Sequence, residues 1–234
     1  METRALETPA LETPALETIA LETIVYLTRH GLSEHNLKTD VYMGRSPESR
    51  LVAAGREQAR RLGARLAGGE FAGDGLAAEK MVQKIIASSL PRTEETARLI
   101  GQALGLENVE TEDAFWELSK GDWEGVMPRW ELPEPIARAL AEDPFGFRYP
   151  GGESYRDVTA RAAPVFDAHV SVNPGVPLLF VLHGDVLRAL LHHTLGFPPE
   201  KIGDFIIDPC SLTELRWIEG RYHLARFNDG AHLV

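Results

Sequence analysis

Two histidines of the sequence follow apolar runs in the same way. The run 24–27 leads into Arg29 and His30, and the run 178–182 leads directly into His183. A run that is apolar at every position is typical of a parallel strand buried on both faces. Open α/β sheets bind their ligands in the crevice at the carboxyl ends of such strands. We therefore expect both histidines to lie in one crevice at one edge of a sheet.

A second arginine is expected in the same crevice. The segment 84–88 predicts another strand, and Pro91 suits the first turn of the helix that follows, so Arg92 lies close to the helix start. Arginine side chains offer forked N–H donors that match the oxygens of a phosphate or carboxylate group. The amino termini of the helices after Arg92 and Gly184 add backbone N–H donors. Together these residues predict a site for a tetrahedral anion.

A histidine surrounded by arginines can attack phosphorus directly. The product is a phosphohistidine that water later cleaves, which divides one difficult displacement into two easier steps. The arginines neutralise the phosphoryl oxygens in the transition state, and the leaving alkoxide needs a proton from an acid. Glu117 is the candidate for this acid, because the segment 115–125 is rich in glycine and acidic residues and is predicted to form a loop reaching the crevice. A neighbouring phosphate dianion would raise the pKa of its carboxyl group.

Other kinds of phosphate chemistry lack their signatures in the sequence. No glycine-rich loop ends in Lys followed by Ser or Thr, and no cluster of Asp and Glu marks a Mg²⁺ site. Zinc needs three or four converging ligands, and the eight histidines show no spacing such as H-E-x-x-H. The sequence therefore favours chemistry without a metal, and it predicts no cofactor.

The composition narrows the range of partners and compartments. The formal net charge of −11 argues against a surface for nucleic acid or an anionic membrane, since both need a basic face. The one cysteine, Cys210, cannot form an internal disulfide, which fits a reducing compartment. Neither a signal peptide nor a run of about 18 apolar residues occurs. We expect a soluble cytoplasmic protein whose partner is a small phosphorylated substrate; the oligomeric state is not indicated.

The amino terminus is repetitive. Residues 5–24 contain the unit ALETP twice and then ALETI twice. A period of five places successive leucines about 140° apart on a helix, so they form no continuous stripe, and Pro9 and Pro14 oppose a helix further. We interpret residues 1–23 as a disordered extension without a part in the chemistry. Residues 24–234 are interpreted as one catalytic domain.

The elements that must position these residues alternate between strands and helices. Helices are predicted over 53–66, from Arg92 to Gly105, over 134–142, after Ser154 and over 185–195. Alternating apolar residues from Thr213 and a second run to Phe227 predict a hairpin at the carboxyl terminus. The predicted fold class is α/β, a three-layer α/β/α sandwich with a mostly parallel central sheet and a C-terminal β-hairpin.

Several polar residues are interpreted as parts of the scaffold. The arginines of the helix 53–66 are expected to form a solvated face; they are Arg56, Arg60, Arg61 and Arg65. Asp185 is interpreted as a cap of the helix after His183. The segment 31–47 is predicted to form a loop over the crevice whose polar residues, His35 among them, could touch a ligand, but His35 is given no part in the chemistry.

Blocks of this sequence resemble the histidine phosphatase superfamily, the phosphoglycerate-mutase-like proteins. Residues 27–36 are similar to that family's signature L-x-R-H-G-x-T/S-x-x-N, and residues 88–97 to its segment S-x-L-x-R-x-x-x-T-A. Further similar blocks, in the family's order, are Leu51 to Ala59, Glu117 with 121–125, Gly151 to Ser154, and Val181 to Gly184. The resemblance extends from about residue 24 to residue 218. One departure is Leu32, where members of the family often have glutamate.

The resemblance implies a role for each matching residue. His30 would be the phosphorylated nucleophile, and Glu117 the proton donor. Arg29, Arg92 and His183 would form the phosphate pocket. The residues expected to border the substrate are Ser33, Asn36, Gly44, Arg45 and Gly184. The resemblance also implies a phosphoglycerate-mutase-like fold, in agreement with the fold class predicted from the pattern.

Three hypotheses of function follow. The leading one is a metal-independent phosphomonoesterase that hydrolyses a small phosphorylated metabolite through a phosphohistidine on His30. The alternative is a 2,3-bisphosphoglycerate-dependent phosphoglycerate mutase, which the resemblance implies would carry a longer, more basic insertion before the Gly-Gly-Glu-Ser segment. Here the segment 122–149 is short and poor in lysine, which favours hydrolysis. The third hypothesis is a scaffold that binds phosphorylated ligands without catalysis; the presence of His30, Glu117 and His183 together argues against it.

Overall fold

The computed structural model describes residues 22–68, 81–128, 130 and 132–234. The predicted amino-terminal extension therefore lies outside the described residues up to position 21. Thr23, which the sequence assigned to that extension, is already the first residue of a strand. None of the helices in the described ranges is long and apolar enough to cross a membrane.

A six-stranded sheet forms the centre of the molecule. Its strands are β1 Thr23–Arg29, β2 Lys84–Ser88, β3 Val109–Glu112, β4 Leu178–Leu182, β5 Leu212–Ile218 and β6 Arg221–Asp229. Their order across the sheet is β3-β2-β4-β1-β5-β6. The pairs β3/β2, β2/β4 and β4/β1 are parallel, whereas β1/β5 and β5/β6 are antiparallel. The mostly parallel sheet and the C-terminal hairpin are thereby confirmed.

Five α-helices accompany the sheet in the described ranges. They are α1 Ala53–Gly68, α2 Pro91–Leu104, α3 Glu134–Glu142, α4 Tyr155–Ser171 and α5 Gly184–Leu195. The predicted stop of α2 at Gly105 is confirmed. This glycine adopts φ 70° in the left-handed region, where a side chain would be strained.

The two faces of the sheet are covered by different helices. Because side chains alternate along a strand, Ile24 and Tyr26 of β1 pack with buried residues of α1 and α2. Val25 and Leu27 pack instead with buried residues of α4 and α5. Each of these strand residues is at most 6% exposed. The continuous apolar runs of the sequence thus arise from burial on both faces, and the predicted three layers are confirmed.

The arginines of α1 do not all behave as a solvated face. The Arg65 side chain is 8% exposed and pairs with Asp229 of β6 at 2.6 Å. Arg56 pairs with Glu95 of α2 at 2.6 Å. Arg60 and Arg61 remain exposed beside Glu57, as expected. The helix pattern could not indicate the role of Arg65, because its partner lies more than 160 residues later in the chain.

Candidate active site

The carboxyl ends of β1, β2 and β4 bring the predicted residues together. These strands are neighbours in the order β2-β4-β1. His30 follows the last residue of β1, and His183 stands between β4 and α5 as the N-cap residue of that helix. The backbone N–H of His30 donates to the carbonyl oxygen of Leu182 at 2.9 Å, which extends the pairing of β1 and β4 up to the two histidines. The imidazole ring centroids of His30 and His183 are 5.2 Å apart.

The backbone after His30 is held in place by close packing. A Cβ atom added to Gly31 would lie 2.3 Å from the carbonyl oxygen of Gly55, in the first turn of α1. A side chain at position 31 would therefore displace either the helix or the strand end. The backbone N–H of Gly31 also donates to the hydroxyl of Thr96 in α2, at 3.1 Å. The glycine after the histidine is thus required by its packing against α1, and α2 holds its backbone by a hydrogen bond.

The imidazole of His30 presents one defined nitrogen to the site. Its Nδ1–H donates to the carbonyl oxygen of Gly31 at 2.7 Å, since a carbonyl can only accept. Its Nε2 consequently carries a lone pair, and it accepts a hydrogen bond from Nε of Arg92 at 3.2 Å. Burial, followed by the charges of Arg92 and Arg29, holds the pKa of His30 well below its ordinary value. The ring is therefore neutral and nucleophilic at Nε2 near pH 7.

The second histidine is anchored at the other nitrogen. Nε2 of His183 lies 2.8 Å from the hydroxyl oxygen of Ser88, at the end of β2. Its Nδ1 is buried and has no hydrogen-bond partner within the described part of the chain. Burial and then the charge of Arg92 lower the pKa of His183 well below its ordinary value. The ring is neutral, with one nitrogen available to a ligand.

The two predicted arginines have different surroundings. Arg29 donates from Nη1 to the carbonyl oxygen of Ile207 at 2.9 Å, while its buried Nε meets no acceptor among the residues described. Arg92 donates from Nη1 to the carbonyl oxygens of Arg45 and Ser46, at 2.8 and 3.1 Å. Arg92 therefore lies beside the nucleophile and also holds the loop that covers it.

A cavity of about 560 Å³ opens next to this pair of histidines. Arg29, Gly184 and Glu117 line it, whereas the side chains of His30, Arg92 and His183 are fully buried. The Glu117 carboxylate accepts a hydrogen bond from the backbone N–H of Leu118 at 2.9 Å. Burial, and secondly the charge of Asp185, raise the pKa of Glu117 above its ordinary value. A carboxyl group with a raised pKa is thus placed in the same cavity wall as Arg29 and Gly184.

Arg161 of α4 holds the loop that carries Glu117. The Arg161 guanidinium donates to the carbonyl oxygens of Ala114 and Trp116, at 2.6 and 2.7 Å. It also pairs with Glu153 at 2.9 Å. Because α4 holds the backbone of Ala114 and Trp116, the segment directly before Glu117 is fixed beside the cavity that Glu117 lines.

The sequence of the chain matches a known protein family. Residues 25–230 match the model of the family described as "Histidine phosphatase superfamily (branch 1)". The chain belongs to this superfamily. Its sequence is 31% identical over 159 residues to "Probable phosphoglycerate mutase GpmB" of Yersinia enterocolitica, covering 65% of this chain and 74% of that protein.

Solved structures of the superfamily share the fold closely. Bacillus stearothermophilus YhfR superposes with a TM-score of 0.76 and 28% identity, over 91% of this chain and 100% of that one. Mycobacterial glucosyl-3-phosphoglycerate phosphatase superposes with a TM-score of 0.72 and 25% identity, over 90% and 99% of the two chains. The relatives thus include proteins named as mutases and proteins named as phosphatases.

The remaining residues that the superfamily resemblance implied are distributed around the cavity. Asn36 and Gly44 line it together with Gly184. Ser33 is fully buried, and its hydroxyl donates to the side-chain oxygen of Asn36 at 2.8 Å. Arg45 directs its guanidinium to Glu153, at 3.1 Å. The structure therefore places Asn36, Gly44 and Gly184 at the cavity wall, whereas Ser33 supports Asn36 and Arg45 supports the loop.

Sequence reasoning missed a charged cluster in the cavity wall. It consists of Lys120, Tyr155, Asp185 and Arg188, all of which line the cavity. Asp185 does not cap α5 as interpreted, because its carboxylate accepts hydrogen bonds from the other three side chains. Asp185 and Arg188 are three residues apart in the first turns of α5, so a helical spacing after His183 is the signal that could have revealed them.

His35 was not expected to take part in the chemistry, although its loop was expected to touch a ligand. It lines the cavity, and its ring lies edge-on to that of His30 with centroids 5.8 Å apart. Burial, followed by the charges of Arg92 and Arg29, lowers the pKa of His35 to about 3. Among the described residues, no group of three or more His, Cys, Asp or Glu side chains is arranged to hold a metal ion.

Proposed function

We propose that the chain is a metal-independent phosphomonoesterase that hydrolyses a small phosphorylated metabolite through a phosphohistidine at Nε2 of His30. One observation carries the proposal. The Nδ1–H of His30 is engaged with the Gly31 carbonyl, so the lone pair of Nε2 faces the Arg92 guanidinium beside the cavity. A neutral imidazole with a cation at its nucleophilic nitrogen is suited to attack a phosphate dianion.

In the first half of the reaction a phosphoryl oxygen of the substrate would replace the His30 nitrogen as the acceptor of an existing hydrogen bond. The N–H of Arg92 that donates to His30 would donate to a phosphoryl oxygen instead, and Nε of Arg29 would find its missing acceptor there. Nε2 of His30 then forms a bond to phosphorus as the bond from phosphorus to the leaving oxygen breaks. Glu117 transfers its proton to that oxygen, so an alcohol leaves.

His183 would stabilise the phosphoryl group rather than attack it. If the Ser88 hydroxyl donates to Nε2, the neutral ring carries its proton on Nδ1, which is the nitrogen without a partner among the residues described. That N–H can donate to an equatorial phosphoryl oxygen, whose charge grows in the transition state. The same serine therefore orients the ring and selects its tautomer.

The second half of the reaction returns the enzyme to its starting state. The Glu117 carboxylate takes a proton from water, and the water oxygen attacks phosphorus. The bond between phosphorus and Nε2 of His30 breaks, and inorganic phosphate leaves with the neutral imidazole restored. The rise in the pKa of Glu117 suits this exchange of roles, since it brings the carboxyl group closer to the pH at which it works.

A phosphoglycerate mutase is the second candidate, because relatives 31% identical to this chain carry that name. A mutase would return the phosphoryl group from His30 to a phosphoglycerate instead of to water. The segment between Glu117 and Ser154 holds one α-helix, Glu134–Glu142, among the described residues. This short segment, poor in lysine, supports hydrolysis over the retention of a bisphosphate.

The first test is an assay with p-nitrophenyl phosphate in the presence of a chelator. We expect turnover between pH 5 and 8 and an acid-labile phosphoenzyme in rapidly quenched samples. No turnover together with no phosphoenzyme would contradict both enzymatic functions and favour a scaffold that only binds phosphorylated ligands. Turnover only after addition of a divalent cation would contradict the metal-independent mechanism.

The second test separates the two enzymatic functions. The enzyme is incubated with 3-phosphoglycerate and a trace of 2,3-bisphosphoglycerate, and inorganic phosphate and 2-phosphoglycerate are both measured. Release of phosphate without isomerisation is expected from a phosphatase. Isomerisation that outpaces the release of phosphate would identify a mutase. A screen of phosphorylated metabolites would then define the preferred substrate.

A further inference from the structure

Both carboxylate oxygens of Asp185, which lies in the cavity wall, accept hydrogen bonds. Its Oδ2 accepts a hydrogen bond from Nζ of Lys120 at 2.9 Å. Its Oδ1 accepts from the Tyr155 hydroxyl at 2.5 Å and from Nη1 of Arg188 at 2.8 Å. The donors come from the Glu117 loop, from α4 and from α5. Asp185 is therefore fixed by three separate parts of the chain, and its side chain is 16% exposed.

This carboxylate is held in its ionised form. Burial alone would raise the pKa of Asp185, but the positive charges of Lys120 and then Arg188 outweigh burial and lower it. Asp185 in turn raises the pKa of Lys120 above its ordinary value despite burial. The ammonium group also lies 4.3 Å from the centre of the Tyr149 ring, which stabilises its charge further. A fixed negative charge thus faces the cavity at neutral pH.

Glu117 shares the cavity with this charge and meets cations from the other elements packed around it. The charged groups that act on it are Arg29 after β1, Arg92 of α2, Lys120 of its own loop, and Asp185 and Arg188 of α5. The nearby imidazoles of His30, His35 and His183 are neutral. Every cation in this set favours the ionised carboxylate. Asp185 is the member of the set whose charge favours the protonated acid.

We propose that Asp185 is a positioning residue: its carboxylate, fixed in the wall of the cavity that Glu117 also lines, favours the acid form of Glu117 that meets the leaving oxygen. The inference rests on the proposed function, because it requires Glu117 to be the proton donor. Asp185 itself neither gains nor loses a proton during the reaction. The proton passes from the Glu117 carboxyl oxygen to the leaving oxygen while its bond to phosphorus breaks. Lys120 acts in the opposite direction, since its charge favours the Glu117 carboxylate.

The test measures the rate of phosphorylation of His30 in single turnovers with saturating β-glycerol phosphate between pH 5 and 10. This alkyl phosphate has a poor leaving group, so its reaction depends on the acid. The rate of the wild-type enzyme falls on the alkaline side as Glu117 loses its proton. In the variant Glu117→Gln the rate is lower and this alkaline fall is absent. Ionisation of the substrate phosphate, near pH 6, is common to all variants.

Two variants that break the same ion pair should move the alkaline fall in opposite directions. Asp185→Asn removes the negative charge, so Glu117 ionises more readily and the fall moves down by about one pH unit. Lys120→Met removes the opposing positive charge, so the fall moves to higher pH. Damage to the shape of the site would not produce shifts of opposite sign.

Two controls isolate the electrostatic effect. Tyr155→Phe removes a hydrogen bond of Asp185 without changing any charge, so the alkaline fall should remain at its wild-type pH. With p-nitrophenyl phosphate the leaving group needs no proton, so the rate should show no corresponding alkaline fall in any variant. Thermal unfolding of each variant confirms that the compared proteins are folded.

The double variant Asp185→Asn with Lys120→Met keeps the proposal testable if the buried cation prevents Asp185→Asn from folding. Adding Asp185→Asn to Lys120→Met should move the alkaline fall back down by about one pH unit. An unchanged or higher position after removal of Asp185, in either background, would overturn the proposal. Absence of any phosphoenzyme in the wild-type protein would instead contradict the proposed function itself.

Discussion

The ends of β1 and β4 present the same dipeptide, His-Gly, yet the two imidazole rings are held by opposite nitrogens. His30 is anchored through Nδ1 to the carbonyl of its own neighbour, Gly31. His183 is anchored through Nε2 to the hydroxyl of Ser88 on the adjacent strand. The nitrogen that is not used as the anchor is therefore Nε2 in the first ring, where it accepts from Arg92, and Nδ1 in the second, where it has no partner among the described residues. The same dipeptide therefore presents a different ring nitrogen to the site at each strand end, because each ring has a different hydrogen-bond partner.

Neighbouring histidines with the same protonation state can take different roles. Both rings are fully buried, and burial together with Arg92 keeps both neutral. Their difference lies in the anchor: a carbonyl fixes a nucleophilic lone pair, whereas a hydroxyl can leave an N–H donor. We therefore assign nucleophilic attack to His30 and stabilisation of the phosphoryl oxygens to His183.

The largest effect is expected from His30→Ala. Removal of the attacking nitrogen should abolish the phosphoenzyme and lower kcat/KM for p-nitrophenyl phosphate by more than about 10⁴-fold. Rapid alkaline quenching followed by mass measurement of the intact protein checks the covalent intermediate. A phosphoenzyme of normal yield in this variant would reverse the assignment of the two histidines.

A smaller effect is expected from His183→Ala. Loss of one donor to the transition state should lower the rate of phosphorylation by about 10²–10³-fold while leaving a phosphoenzyme that can still be trapped. Single-turnover kinetics with p-nitrophenyl phosphate measure this rate. Equal losses in His30→Ala and His183→Ala, with no intermediate in either, would remove the distinction between the two strand ends.

The free energy of unfolding should depend on pH because His30, His35 and His183 are buried in neutral form. Their pKa values are lowered in the folded state, so the unfolded chain binds up to three more protons than the folded one as pH falls through about 6.5. Glu117, whose pKa is raised, offsets part of this difference, because it binds a proton more readily in the folded state. Stability should therefore be retained above pH 6.5 and fall by about 2–3 kcal/mol between pH 6 and 5.

Denaturant unfolding at pH 7, 6 and 5 measures this dependence, and His30→Ala provides its control. The variant lacks one of the three neutral rings, so the decline should be about 1.4 kcal/mol smaller per pH unit. A pH-independent free energy of unfolding over this range would show that the buried histidines are already protonated in the folded protein.

The smallest effect is expected from Ser88→Ala. The His183 ring would lose its anchor but keep its place in the pocket, so the rate of phosphorylation should fall by about 10-fold or less. The same kinetics, compared with His183→Ala, measure how much of the second histidine's contribution depends on its orientation. Addition of Ser88→Ala to His183→Ala should cost nothing further, whereas an additive loss would mean that Ser88 acts on its own.

The sequence predicted the framework of the site because the relevant signals are local. Apolar runs of four and five residues, 24–27 and 178–182, specify β1 and β4, and parallel pairing then brings their ends together. Which nitrogen of His30 or His183 is anchored could not be predicted, since Ser88 lies 95 residues before His183. The sequence likewise predicted Arg92 as a phosphate ligand, yet three of its contacts are carbonyl oxygens of residues 44–46.

The charged cluster of the cavity wall could not be predicted from the sequence for the same reason. Lys120 and Asp185 are 65 residues apart, and Tyr155 and Asp185 are 30 apart. Their convergence depends on how α4 and α5 pack against the sheet, which is a property of the tertiary fold. Short-range patterns therefore found the groups that we propose act on phosphorus, whereas the charged groups proposed to tune them were found only in the structure.

The position of phosphate on the trapped enzyme tests the proposed role of His30 as nucleophile most directly. The phosphoenzyme formed at pH 7 is quenched in alkali and digested, and the phosphorylated peptide is identified by mass spectrometry. Phosphorus NMR with selective ¹⁵N labelling of histidine then identifies the bonded nitrogen. The structure predicts phosphate on Nε2 of His30. Phosphate on Nδ1 of His30, or on either nitrogen of His183, would contradict the account.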